Sequence, residues 1–127
     1  MFASVLFPID RSRQCADTVA TALRLAQQQS SRLLLLSVVD PEDEAMADRA
    51  RVAALLEQAR QPFEQAGLTC QVLERQGKAA FVICDVADEE DVDLIVLGTR
   101  GIASPSGSES VAAKVIQLAP CPVLVVP

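Results

Sequence analysis

The chain has 127 residues, half of them hydrophobic, and carries a net charge of −6 from 17 acidic and 11 basic residues. That length fits one domain able to bury roughly two-thirds of its unfolded surface without a disulfide or metal staple. With no basic cluster, no Trp or Tyr and no histidine at all, the composition argues against nucleic acid, anionic membranes, His-based triads and the common zinc sites.

Short apolar runs rich in β-branched residues alternate with longer segments of helical period, the pattern of an α/β fold with a parallel sheet between helices. Ala3 to Ile9 reads as the first strand. Pro8 cannot donate to a ladder, which suits the carboxyl end of a strand, so the chain leaves the sheet near Asp10. From about Ser12, the positions Ala16, Val19, Ala20, Leu23 and Ala26 predict an amphipathic helix that stops in the polar run from Gln27 to Ser31. Leu33 to Val39, apolar at every position but Ser37, predicts a strand covered on both faces.

Pro41, followed by Glu42, Asp43 and Glu44, is expected to start a second helix, with the acidic trio complementing its dipole. Val52, Leu55, Leu56, Ala59, Phe63 and Ala66 carry its buried stripe, Pro62 should kink or restart it, and Gly67 should end it. A third strand covers Thr69 to Glu74. After Gly77 comes a third helix on Ala79, Val82, Ile83, Val86 and Ala87, ending in Asp88-Glu89-Glu90-Asp91. Those four carboxylates read as a solvated acidic surface, since the spacing of a calcium loop is absent.

Val92 to Leu97 predicts the fourth strand. Gly98 to Ser108 forms a loop, and Val111, Val115 and Leu118 mark a fourth helix stopped by Pro120 and Pro122. Val123 to Val126 is a fifth strand. Three of the five glycines, Gly98, Gly101 and Gly107, fall within ten residues, and a Gly-x-x-Gly loop between strand and helix aims free backbone N–H groups at phosphate oxygens. A strand-to-loop turn welcomes glycine without any ligand too, so both readings of Gly98 and Gly101 stay open. The four cysteines, Cys15, Cys70, Cys84 and Cys121, are widely spaced and mostly in apolar contexts, as expected of reduced core thiols. No leader pattern and no long apolar run is present, so a cytoplasmic protein is expected, not secreted and not membrane-spanning.

The chain resembles the universal stress protein family. The likeness rests on Leu6-Phe7-Pro8-Ile9-Asp10, on Leu35-Leu36-Ser37-Val38-Val39-Asp40, and on Gln76-Gly77-Lys78-Ala79-Ala80. Asp93 to Gly101 and Pro122 to Val126 complete five segments in order. The resemblance implies a doubly wound, five-stranded parallel sheet of order 3-2-1-4-5 in a single domain over residues 1–127. It also implies a homodimer in which the last strands, Val123 to Val126, meet. In that order the first and fourth strands straddle a topological switch point, where such sheets open a crevice at their carboxyl ends.

By similarity ATP or AMP would lie there, with Mg only in the nucleotide's company. The site would comprise Pro8, Ile9 and Asp10, the backbone around Val38, then Gly98, Thr99 and Gly101, and finally Ser108, Ser110 and Val111. Asp10 has a competing role as a cap for the following helix. Ser106, Ser108 and Ser110 are each candidate helix N-caps.

The family's pattern of Gly-x-x-Gly, nine residues, then Gly-Ser or Gly-Thr is broken here. Counted back from Pro122, Glu109-Ser110 stands in the place of Gly-Ser, only seven residues after Gly101. Unit charges about 4 Å apart at an effective dielectric near 20 repel by roughly 4 kcal/mol, and less under water screening. A second alignment puts Gly107-Ser108 in that role and turns Glu109 elsewhere, while Arg100 beside the loop offsets phosphate charge or pairs with Glu109.

Two functions follow as expectations: a stress-response protein with a regulatory adenine nucleotide, or a nucleotide-free dimeric interaction protein whose protein partner is not identified. No catalytic residue and no metal ligand stands out, so an enzyme is not expected. Weak ATP hydrolysis would rest on the loop's positioning of nucleotide alone.

Overall fold

A computed structural model describes residues 2–10, 16–98 and 111–127. The elements in chain order are β1 (Ser4–Pro8), α1 (Ala16–Gln29), β2 (Arg32–Val39), a 3-10 turn (Glu44–Met46), α2 (Arg49–Gln65), β3 (Cys70–Gln76), α3 (Ala79–Glu89), β4 (Leu94–Gly98), α4 (Val111–Leu118) and β5 (Val123–Val126). All five strands are parallel, in the order β3-β2-β1-β4-β5. The expected doubly wound sheet is therefore present.

Alternation along the central strands divides the core into two layers. Val5 and Phe7 of β1, Leu33 and Leu35 of β2, and Leu94 and Val96 of β4 face Ala22 of α1 and Leu56 and Phe63 of α2. The odd one out in chemistry is an aromatic pair, Phe7 against Phe63, with centroids 6.1 Å apart at 76°. On the other face Leu6, Leu34, Leu36, Ile95 and Leu97 meet Ile83, Val86 and Ala87 of α3 and Ala112 and Val115 of α4. Strands covered on both sides have no solvent face to mark with polar residues, which is why Leu33 to Leu36 read as an unbroken apolar run.

Three local expectations are corrected. Pro41 and its acidic neighbours do not begin a helix: residues 40–43 turn, the 3-10 element follows, and α2 starts at Arg49 behind Asp48. The Asp48 carboxylate accepts from the N–H groups of Ala50 and Arg51, a cap that Pro41 has no side chain to provide. Pro62 does not restart α2, because it sits in the last turn of one continuous helix. In α1 the buried face is Thr18, Ala22 and Ala26, while Val19 and Leu23 are only half-buried and Ala20 is exposed. Small side chains at that spacing let the helix lie close to the sheet, so the bulkier residues flank the contact.

Three helices end alike. Leu68 N–H donates to Phe63 O and Gly67 N–H to Glu64 O beyond α2; Ser31 to Ala26 and Ser30 to Gln27 do the same beyond α1; Val92 to Ala87 and Asp91 to Asp88 beyond α3. This paired capping needs a left-handed residue after the helix. Gly67 adopts it at φ 83°, but Ser30 at 51° and Asp91 at 52° do so with side chains. Asp91 also adds a carboxylate at the negative end of α3, where Arg32 supplies the compensating donor to the Glu90 carbonyl at 3.1 Å. Asp91→Gly is expected to stabilise the protein by about 1 kcal/mol, read as a rise in thermal midpoint of a few degrees; a fall would show that Asp91 holds the turn.

Candidate functional site

β1 is the hinge of the candidate site, because its two neighbours continue past it. The ladder to β2 closes at Pro8 opposite Leu36, and Ile9 N–H still reaches Leu36 O at 2.7 Å. At the next step the Ile9 carbonyl takes the hydroxyl of the fully buried Ser37, at 3.0 Å. β2 meanwhile stays paired with β3 through Val39 opposite Gln76. Peptide groups alternate sides along a strand: Leu36 O faces β1, and Val39 O faces the β3 edge, where Gly77 N–H binds it at 2.9 Å. Val38 therefore turns its N–H and C=O toward the β1 side, beyond the last registered β1 pair, while its side chain is buried among α3 residues.

Across the gap β4 ends at Gly98, paired with Val126. Its lack of a side chain has a packing cause. A Cβ at Gly98 would lie 2.9 Å from Thr18 Oγ1 and 3.3 Å from Thr18 Cγ2, and Thr18 is 1% exposed. Asp10, partly buried, stands at the end of β1. Pro8, Ile9, Asp10, Val38 and Gly98 are thus brought to the carboxyl ends of three adjacent strands. Val111, the first residue of α4, is 40% exposed. Thr99, Gly101, Ser108 and Ser110, together with Arg100, Ser106 and Glu109, lie outside the described residues.

Two features, on opposite sides of the crevice, escaped sequence patterning. Lys78, ahead of α3, forms ion pairs with Glu42 and with Asp40, the latter at 3.8 Å, tying the turn after β2 to the turn after β3. Asp40 braces the same turn through Glu42 N–H at 3.0 Å. The second is Thr18, a polar residue in a helix read only for apolar period; its i, i+4, i+8 spacing with Ala22 and Ala26 was the available signal.

The hydrogen bond to Glu42 raises the Lys78 ammonium above its ordinary 10.5; desolvation opposes this and Asp40 assists. Cys70, Cys84 and Cys121 are free thiols. Burial, the largest cause in each case, pushes all three above 9.0, aided by Glu64, Asp85 and Asp93 respectively. They are protonated at neutral pH and poor nucleophiles. Among the described residues no cluster of three or more metal-ligating side chains occurs.

The sequence matches the Universal stress protein family over residues 1–127. The chain belongs to this family. It is 47% identical to a universal stress protein of Synechocystis over 136 residues, covering 100% of this chain and 87% of the relative. A universal stress protein of Thermus aquaticus is 34% identical over 138 residues, covering 99% of both chains. Among solved structures, that of a universal stress protein in complex with cAMP superposes with a TM-score of 0.82 at 25% identity, covering 98% of this chain and 96% of that one.

In this universal stress protein the Lys78 pairs predict a stability difference with a definite sign in pH. A raised folded-state pKa stabilises fully below the unfolded value and is lost as pH rises through the folded one. Lys78→Gln should therefore unfold at a lower temperature than wild type at pH 8, and the gap should close above pH 10.5 and in high salt. A gap independent of both pH and salt would mean that the ion pairs do not brace this rim.

Proposed function

We propose that this universal stress protein binds an adenine nucleotide, ATP or AMP, as a regulatory ligand at the carboxyl ends of β1 and β4. One observation carries the reading. The strand order makes β1 and β4 neighbours whose following connections leave toward opposite ends of the sheet, and that is where doubly wound sheets take their ligands. The peptide groups of Val38, turned into this opening past the end of β1, suit the donor and acceptor edge of a purine. Asp10 suits ribose hydroxyls. The glycine-rich segment that follows Gly98 in sequence suits phosphate, and Mg2+ would arrive with the nucleotide.

The family member in complex with cAMP supports the adenine class at the level of the fold it shares. The role is that of a binding protein in the stress response, housed in the cytoplasm, with no chemistry assigned to any side chain. Among the described residues no helix is long and apolar enough to cross a membrane.

A nucleotide-free interaction protein is the second reading, and the Thr18 contact favours it, because packing alone accounts for Gly98. The two readings part on one experiment. Millimolar Mg-ATP or AMP should raise the thermal midpoint if either binds, since ligand at 100 times its dissociation constant stabilises by about 2.7 kcal/mol. No shift, and no nucleotide released on denaturing the purified protein, would sink the first reading.

Either reading is compatible with a homodimer through β5. This strand ends the sheet order, its four residues Val123 to Val126 are all half-buried, and Ile116 and Leu118 nearby in α4 are 56% and 48% exposed. Apolar edge strands invite pairing with another chain. Sedimentation at tens of micromolar is expected to give twice the mass of the 13.5 kDa chain; a monomer would reject the β5 interface.

A further inference from the structure

We infer that Thr18 is a positioning residue for the mouth of the crevice: its γ atoms occupy the space of a side chain at position 98 and thereby set how closely α1 approaches the end of β4. This inference rests on the reading of that crevice as a nucleotide site, and it names a residue outside the site that controls it.

The geometry is specific. A Cβ at position 98 would meet Oγ1, Cγ2 and Cβ of Thr18 at 2.9, 3.3 and 3.6 Å, and these are the atoms nearest to it. The first contact is closer than real Cβ atoms come to a neighbour, the second is tight, and the third is ordinary. The two γ atoms alone therefore forbid a side chain there. Thr18 has little room to retreat, being 1% exposed and β-branched, which restricts its χ1 in a helix. Nor can α1 slide away easily, since Ala22 and Ala26, each fully buried, hold the same face of the helix against the sheet.

The contact joins the two flanks of the site. α1 is the element that follows Asp10 in the chain, and Gly98 is the last residue of β4, fixed on its other side by pairing with Val126. A ligand seated between Asp10 and Gly98 touches the ends of β1 and β4, and the packing of Thr18 against Gly98 helps set the position of the second. Disturbing that contact should change ligand affinity although Thr18 itself touches no ligand.

The test is a double-mutant cycle with Gly98→Ala and Thr18→Ala, read by thermal unfolding and by calorimetric titration with AMP. Gly98→Ala should lower both the midpoint and the affinity, the latter about tenfold. Adding Thr18→Ala removes the two close contacts and leaves none shorter than 3.6 Å, and the double variant should recover affinity to within about threefold of wild type, with strongly non-additive midpoints. Additive midpoints, or an affinity that stays lost in the double variant, would overturn the inference. A purely structural role is separated by Thr18→Ala alone, which should weaken AMP binding while the protein remains folded at the titration temperature; unchanged affinity counts against positioning. If wild type binds no AMP or ATP, the nucleotide reading falls together with the positioning role, and the unfolding cycle still decides whether the steric coupling exists.

Discussion

The structure depends on β1 being gripped from both sides and then released. Five residues, Ser4 to Pro8, are buried between β2 and β4, and every other element is placed by reference to them. On the β2 side the strand ends where Ser37 supplies a hydroxyl to the Ile9 carbonyl, a place a peptide N–H would otherwise take, and on the β4 side Pro8 has no N–H for the ladder. Had β1 run two residues further, the peptide groups of Val38 would be paired on that side as well. Its early end opens the crevice and leaves the backbone of β2 facing it.

Around that point, packing and ligand geometry make demands of the same residues. Gly98 illustrates the overlap: a glycine at the head of a phosphate loop is normally explained by close approach of a ligand, yet here Thr18 already requires it. The two causes do not exclude each other. A helix that must lie close to the sheet, through Thr18, Ala22 and Ala26, also brings its N-terminal end close to the crevice. On the opposite rim, Lys78 joins the turns after β2 and β3 through Asp40 and Glu42, so the neighbourhood of Val38 is braced from the side that β1 has left.

Much of this was legible in the residues because the relevant signals are strong and local. The apolar run from Leu33 to Val39 and the alternating segments announced a covered parallel sheet, and Pro8 marked the end of β1. Five family segments in order supplied the strand order, which no local pattern contains. Errors arose where two physical signals compete. Pro41 with three acidic neighbours looks like a helix start, but Asp48 offers a side-chain acceptor that Pro41 lacks, and the helix begins there. The stripe of α1 was misphased because Thr18 counts as polar by composition and behaves as a small packing residue. The Lys78 pairs join positions 36 and 38 residues apart in sequence, beyond the reach of any periodicity.

The central claim is that an adenine nucleotide sits where β1 and β4 part. The most direct measurement is a titration of isotopically labelled protein with AMP, followed through backbone amide resonances. The account predicts saturable shifts at Ile9, Asp10, Val38 and Gly98, with those of the distant β3 start and the α2 C-terminus unmoved. Resonances that do not move, or movement confined to another surface, would contradict it.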